Sequence, residues 1–112
     1  LSGDGWPYLL VPFIPLAIVL EVLQLGPMHG WGITERIEQW SESVLQLGQG
    51  TLYPALYRME RRGWVEAEWG TSELGRGAKL YRLTDAGQVQ LAAETATWRR
   101  FAAGVSKILL AT

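Results

Sequence analysis

Four stretches of the chain repeat their apolar residues at helical spacing, and one stretch between them switches to a period of two. Leu16, Val19, Leu20 and Leu23 recur every three or four positions, Pro15 suits a first helical position, and Gly26-Pro27 is a stop, so a helix is predicted over 15–25. Ile33, Ile37 and Trp40 repeat at i, i+4, i+7 with Glu and Arg opposite, predicting a second helix from Gly32 to Ser41. Between Glu42 and Gly50, Val44, Leu45 and Leu47 precede two glycines, which reads as a brief extended piece and a turn. A third helix follows over 51–62, with Thr51 near its start, Pro54 in its first turn, and Gly63 as its C-terminal cap after Arg61 and Arg62.

From Trp64 to Trp69 apolar and polar residues alternate, and Lys79 to Leu83 is a second such run. The connector from Gly70 to Ala78 is polar and holds three glycines, so the two runs form a hairpin with a flexible tip. Beyond Thr84, Leu91, Trp98, Phe101, Val105 and Ile108 lie on one stripe of a helix that runs to about Leu109. Such a helix is roughly 38 Å long, longer than a small domain is wide, and its projecting apolar stripe wants a partner.

Three short helices followed by a hairpin are the parts of a winged helix-turn-helix, whose third helix enters the major groove. The expected fold is therefore mainly α (α+β), with a two-stranded wing and a long C-terminal dimerisation helix. Residues 1–14, rich in Gly and Pro, form an irregular arm, 15–83 the winged unit and 84–112 the dimerisation helix. On a wheel of the third helix Leu52, Leu56 and Met59 share a core face, Tyr57, Arg61, Pro54, Arg58 and Thr51 lie opposite, and Glu60 falls nearer the core.

Composition removes other classes. The chain has 112 residues, no Cys and one His, which excludes disulfide scaffolds, thiol nucleophiles and thiolate metal sites; no cofactor is expected. No nucleophile-base pair or placed carboxylate pair is visible, and Gly48-Gln49-Gly50 and Gly75-Arg76-Gly77 lack the Lys-Ser/Thr of a phosphate loop, so no enzyme is expected. The uncharged run from Trp6 to Leu20 is shorter than a membrane span and broken by Pro7, Pro12 and Pro15, so the expectation is a cytoplasmic chain with no membrane partner. The formal charge of −1 conceals an asymmetry: residues 49–83 carry +2 and the remainder −3. Cations thus gather on the third helix and hairpin, where phosphate neutralisation would need them.

The segments Gly26 to Ile33 (GPMHGWGI), Gly50 to Gly63 (GTLYPALYRMERRG) and Lys79 to Gly87 (KLYRLTDAG) resemble, in order, the PadR family of transcriptional regulators. The resemblance runs from about Leu16 to Trp98. It implies a winged-helix repressor that dimerises through its first and last helices and binds a two-fold operator in double-stranded DNA. Thr51, Tyr53, Tyr57, Arg58 and Arg61 match the family's reading helix, and Arg76 and Lys79 its basic wing. Gly77 and Leu80 stand where family wings commonly carry a basic residue and an aromatic. Trp98 matches a position that, in multidrug-responsive members, stacks flat aromatic ligands, so a small aromatic effector is implied. His29 is expected to serve a structural turn, and Trp31, Trp40, Trp64 and Trp69 to pack in the core or wing. The rival reading is a module on the same scaffold that binds small aromatics or a protein, with little DNA binding.

Overall fold

A computed structural model describes residues 14–71 and 77–111. The chain order is α1 (Ile14–Leu23), β1 (Met28–His29), α2 (Gly30–Trp40), α3 (Gln49–Arg61), β2 (Val65–Thr71), β3 (Gly77–Leu83) and α4 (Asp85–Leu109). Ile14, expected as the last residue of the 1–14 arm, already belongs to α1; residues 1–13, residues 72–76 of the expected hairpin tip and Thr112 lie outside the described residues.

One buried cluster holds the elements together. Val19, Leu20 and Val22 of α1, Ile33 of α2, Leu52, Leu56 and Met59 of α3, and Val65 of β2 are all fully buried in it. Each helix supplies a stripe at i, i+3 or i+4, and burying one such side chain contributes about 1.5–3 kcal/mol. Leu52→Ala or Leu56→Ala is the kind of change that costs about 2–5 kcal/mol, because the rigid surroundings close only partly on the cavity.

The sheet differs from the expected two-stranded wing. It has three antiparallel strands in the order β1-β3-β2, with Met28 opposite Tyr81 and His29 opposite Leu80. A two-residue strand is too short to leave a periodic signal, so the segment read as a turn. His29 also donates from Nδ1 to the Lys79 carbonyl at 3.1 Å, which ties β1 to β3 and fits the structural role expected of it. In the hairpin Val65 faces Leu83, Ala67 faces Tyr81, and Trp69 faces Lys79. The strand period sends Val65, Ala67, Tyr81 and Leu83 toward the core and turns Glu66, Glu68 and Arg82 outward, while Trp69, nearer the tip, is 72% exposed.

The α3 helix begins two residues earlier than expected, absorbing Gln49 and Gly50, so Pro54 stands in its second turn and not its first. The backbone amides of Thr51 and Leu52 reach the Gly48 carbonyl at 3.1 and 3.0 Å, closing the first turn before the proline interrupts the ladder. At the other end Gly63 adopts φ +76°, its amide bonds the Glu60 carbonyl, and the Trp64 amide bonds the Met59 carbonyl. That pair of bonds is a Schellman ending, and its left-handed residue is the reason a glycine follows Arg62.

Trp64 is half-buried against the core, whereas Trp31 and Trp40 are 64% and 51% exposed, correcting the expectation of core packing for these two. Ile33 and Ile37 define the inward face of α2; Trp31 lies about 200° around the helix from Ile33, and Trp40 sits at the last residue, on the edge of that face.

Candidate nucleic-acid interface

The outward face of α3 carries Thr51, Tyr57, Arg58 and Arg61, all exposed, while Leu52, Ala55, Leu56 and Met59 are buried behind them. A hydrophobic stripe buried on one side thus forces a cationic and aromatic stripe to the other. Arg61 stacks over the Tyr57 ring with 5.7 Å to the centroid, and its guanidinium donates to the Tyr57 hydroxyl at 3.4 Å. The i, i+4 spacing makes that contact, which holds the guanidinium near one orientation without neutralising it.

Tyr53 is placed differently from its neighbours. Its ring lies over Gly30 at the start of α2, so close that a Cβ on Gly30 would sit 2.6 Å from the hydroxyl. Tyr53 therefore braces the first turn of α3 against α2 while 42% of it remains exposed.

The wing cations are engaged within the protein. Lys79 pairs with Glu60 of α3 at 3.5 Å and lies 5.6 Å from the centre of the Trp69 ring. Arg82 donates to Glu66 at 2.9 Å and lies 3.9 Å from Glu68, and these exposed partners, the Glu66 hydrogen bond first, push its pKa further up. Glu66 stands directly across the ladder from Arg82 and Glu68 diagonally, the two geometries in which cross-strand charges meet. Arg76 lies outside the described residues. Arg62 folds back over the half-buried Trp64 at 5.1 Å, anchoring the end of α3. Of the cations that charge counting gathered on this segment, Arg58 and Arg61 are the two on α3 aimed outward with no acidic partner among the described residues.

A second feature lies on the other side of the core. A cleft of about 570 Å³ opens between α1, α2 and α4, lined by Ile18, Glu21, Trp40, Glu94, Trp98 and Arg99 among others. Trp98 is 46% exposed, with the Phe101 ring 5.8 Å away and tilted by 36°. Beyond it Phe101 and Ile108 are 44% and 78% exposed, so the α4 stripe divides: Leu91 joins the core, and Phe101 and Ile108 lie uncovered among the described residues.

Sequence reasoning found the exposed α3 residues but missed the partners that occupy the wing. It placed Glu60 near the core side without its link to Lys79, and counted Arg82 in the segment's charge without its pairing to Glu66. The strand period carried a usable signal, because the direct pairing of Glu66 with Arg82 follows from the hairpin register. Trp31, exposed beside Tyr53's seat at the start of α2, had no signal beyond its position.

Three helices and a small antiparallel sheet with a projecting last helix define a winged helix-turn-helix. Residues 19–93 match the model of the Transcriptional regulator PadR-like family, and the chain belongs to that family, whose members are transcriptional regulators and not enzymes. An uncharacterised protein of Lysinibacillus sphaericus is 27% identical over 82 residues, spanning 73% of this chain and 75% of its own. The crystal structure of a PadR family transcriptional regulator from Eggerthella lenta is 26% identical, with a TM-score of 0.78 over 97% of this chain and 93% of that one. Bacillus subtilis PadR in complex with operator DNA has the same fold at 22% identity, with a TM-score of 0.63 over 70% of this chain and 44% of that one. Among the described residues no helix is long and apolar enough to cross a membrane.

Proposed function

We infer that the chain is a dimeric DNA-binding repressor whose two α3 helices enter successive major grooves of a two-fold operator. The observation that carries this reading is the exposed Thr51, Tyr57, Arg58 and Arg61 face of α3, with two arginines outside any ion pair among the described residues. A helix fits the roughly 12 Å major groove, and an arginine there can hold a guanine edge or a phosphate through two parallel hydrogen bonds. Tyr53 braces the reading helix and Lys79 flanks it on the wing; Arg76, matched from the sequence alone, belongs to the same proposed contact. The partner copy covers the exposed α4 stripe, which sets the two reading helices about 34 Å apart.

A flat aromatic effector in the cleft beside Trp98 relieves repression by favouring a dimer whose spacing misfits the operator. The cleft volume falls within the roughly 300–1,000 Å³ of small-molecule sites. A second reading, a ligand-binding module with little affinity for DNA, is favoured by the internal pairing of Lys79 and Arg82. Gel shifts against the upstream DNA of the chain's own gene, at two salt concentrations and with and without planar aromatic compounds, separate the two. A shifted band that weakens with salt supports the repressor; no shift at either concentration, with aromatic binding retained, supports the module.

A further inference from the structure

The hydroxyl of Thr84 sits where three segments meet. It lies 2.6 Å from the carbonyl oxygen of Gly63, the left-handed residue that ends α3, and 3.0 Å from that of Trp64, which leads into β2. It accepts the backbone amide of Gly87, in the first turn of α4, at 3.0 Å. The Thr84 amide adds a bond of 3.1 Å to the Trp64 carbonyl. A hydroxyl has one proton and two lone pairs, so this one donates toward α3 and accepts from α4, using both capacities at once. Gly87 closes the same joint by its lack of a side chain: a Cβ there would collide with the Trp64 carbonyl and come within 2.6 Å of Leu83 Cδ1. Elsewhere α4 packs principally on α1.

We propose that Thr84 is a positioning residue that fixes the angle between the reading helix α3 and the long helix α4. The lever is long. A helix of 25 residues extends about 37 Å, so a tilt of about 5° at its first turn moves its far end by about 3 Å. That displacement is close to the 3.4 Å or so that separates neighbouring base pairs. In a dimer joined through α4, loosening the joint therefore blurs the half-site spacing that the two α3 helices accept. The consequence for the operator rests on the dimeric DNA-binding function proposed above; the angle itself does not.

An ordinary helix cap and a joint make different demands on residue 84. Aspartate caps a helix as well as serine does, but as a carboxylate it has no proton to offer the Gly63 and Trp64 carbonyls. Thr84→Asp thus keeps the cap and removes the joint, and Thr84→Ser keeps both. The chain has no cysteine, so nitroxides on Gln49→Cys and Lys107→Cys label only the ends of α3 and α4. With labelled protein diluted in unlabelled, the expected result is one narrow distance for wild type and Thr84→Ser, and a distribution shifted or broadened by several ångströms for Thr84→Asp. Unchanged distances in Thr84→Asp overturn the proposal.

A second measurement reads the functional consequence. Two-fold duplexes selected from a random library by the wild-type chain are respaced in single base-pair steps. Wild type and Thr84→Ser should prefer one spacing by tenfold or more, and Thr84→Asp should lose that preference while retaining affinity for a single half-site. A uniform loss of affinity at every spacing overturns the link to spacing. Failure of the wild-type chain to select any duplex sinks the DNA-binding reading and with it the operator consequence, while the label distances still decide whether Thr84 sets the angle.

Discussion

Glu60 on α3 and Lys79 on β3 meet at 3.5 Å, each about one-third exposed, so an ion pair joins the helix to the hairpin and occupies the charge proposed to meet a phosphate. A half-exposed pair of this kind contributes about 0.2–1 kcal/mol to stability. Glu60→Gln releases Lys79 at that small cost. The expected outcome is tighter DNA binding, with a slope of log affinity against log salt steeper by about one unit. Filter binding across a salt series checks it, and a flat response means that Lys79 stays on the Trp69 ring.

Arg58→Ala and Arg61→Ala should each weaken operator binding by about 1–3 kcal/mol where the residue reads a base edge. Where it holds only a phosphate, the loss is uniform across sequences and the salt slope falls by about one unit. Tyr57→Phe tests the brace on Arg61 and is expected to have the smaller effect, since the cation–π stacking remains. Full operator affinity in the Arg58/Arg61 double variant would remove α3 from the interface.

Phe101→Glu and Ile108→Glu place charge on the part of α4 that is exposed among the described residues. Sedimentation of wild type should give a dimer, and of the double variant a monomer with unchanged helical circular dichroism. Trp98→Ala should leave that dimer intact and reduce binding of planar aromatic compounds by about 0.5–1.5 kcal/mol, the stacking contribution of one aromatic pair beyond burial. Isothermal titration with both proteins makes the comparison.

Tyr81 is 5% exposed, and burial first, then the nearby Glu60 carboxylate, raises its pKa above the ordinary 10.0. Burial and Glu60 both favour the neutral phenol in the folded state. The stability linked to it is therefore complete below pH 10.0 and is lost as pH rises through the higher folded value. Thermal melts should fall more steeply with pH in wild type than in Tyr81→Phe over that alkaline window.

The helices and hairpin were legible in the sequence because each buries one face, and a buried face must repeat at the element's own period. Leu52, Leu56 and Met59 locate the core side of α3 and so locate Arg58 and Arg61 outside. β1 was not legible: with two residues it contributes hydrogen bonds to β3 and no pattern. The state of the wing cations was not legible from counting either. Whether Lys79 is free depends on how α3 packs against the hairpin, a contact between residues far apart in sequence. Thr84 shows the same limit, since its place before a helix predicts a cap and says nothing of the Gly63 carbonyl it also bonds.

The tryptophans of the described chain lie mostly at the surface, with Trp31, Trp40, Trp69 and Trp98 between 46% and 72% exposed. An indole already in water changes little when the chain unfolds, so intrinsic emission starts red-shifted and is a poor gauge of folding. The same exposure makes it a sensitive gauge of contact. If the proposed function holds, DNA bound beside Trp31 or a flat ligand stacked on Trp98 would exclude water from an indole that the folded chain leaves wet. Single Trp→Phe replacements at those two positions would give the protein two optical channels, one for each side of the molecule.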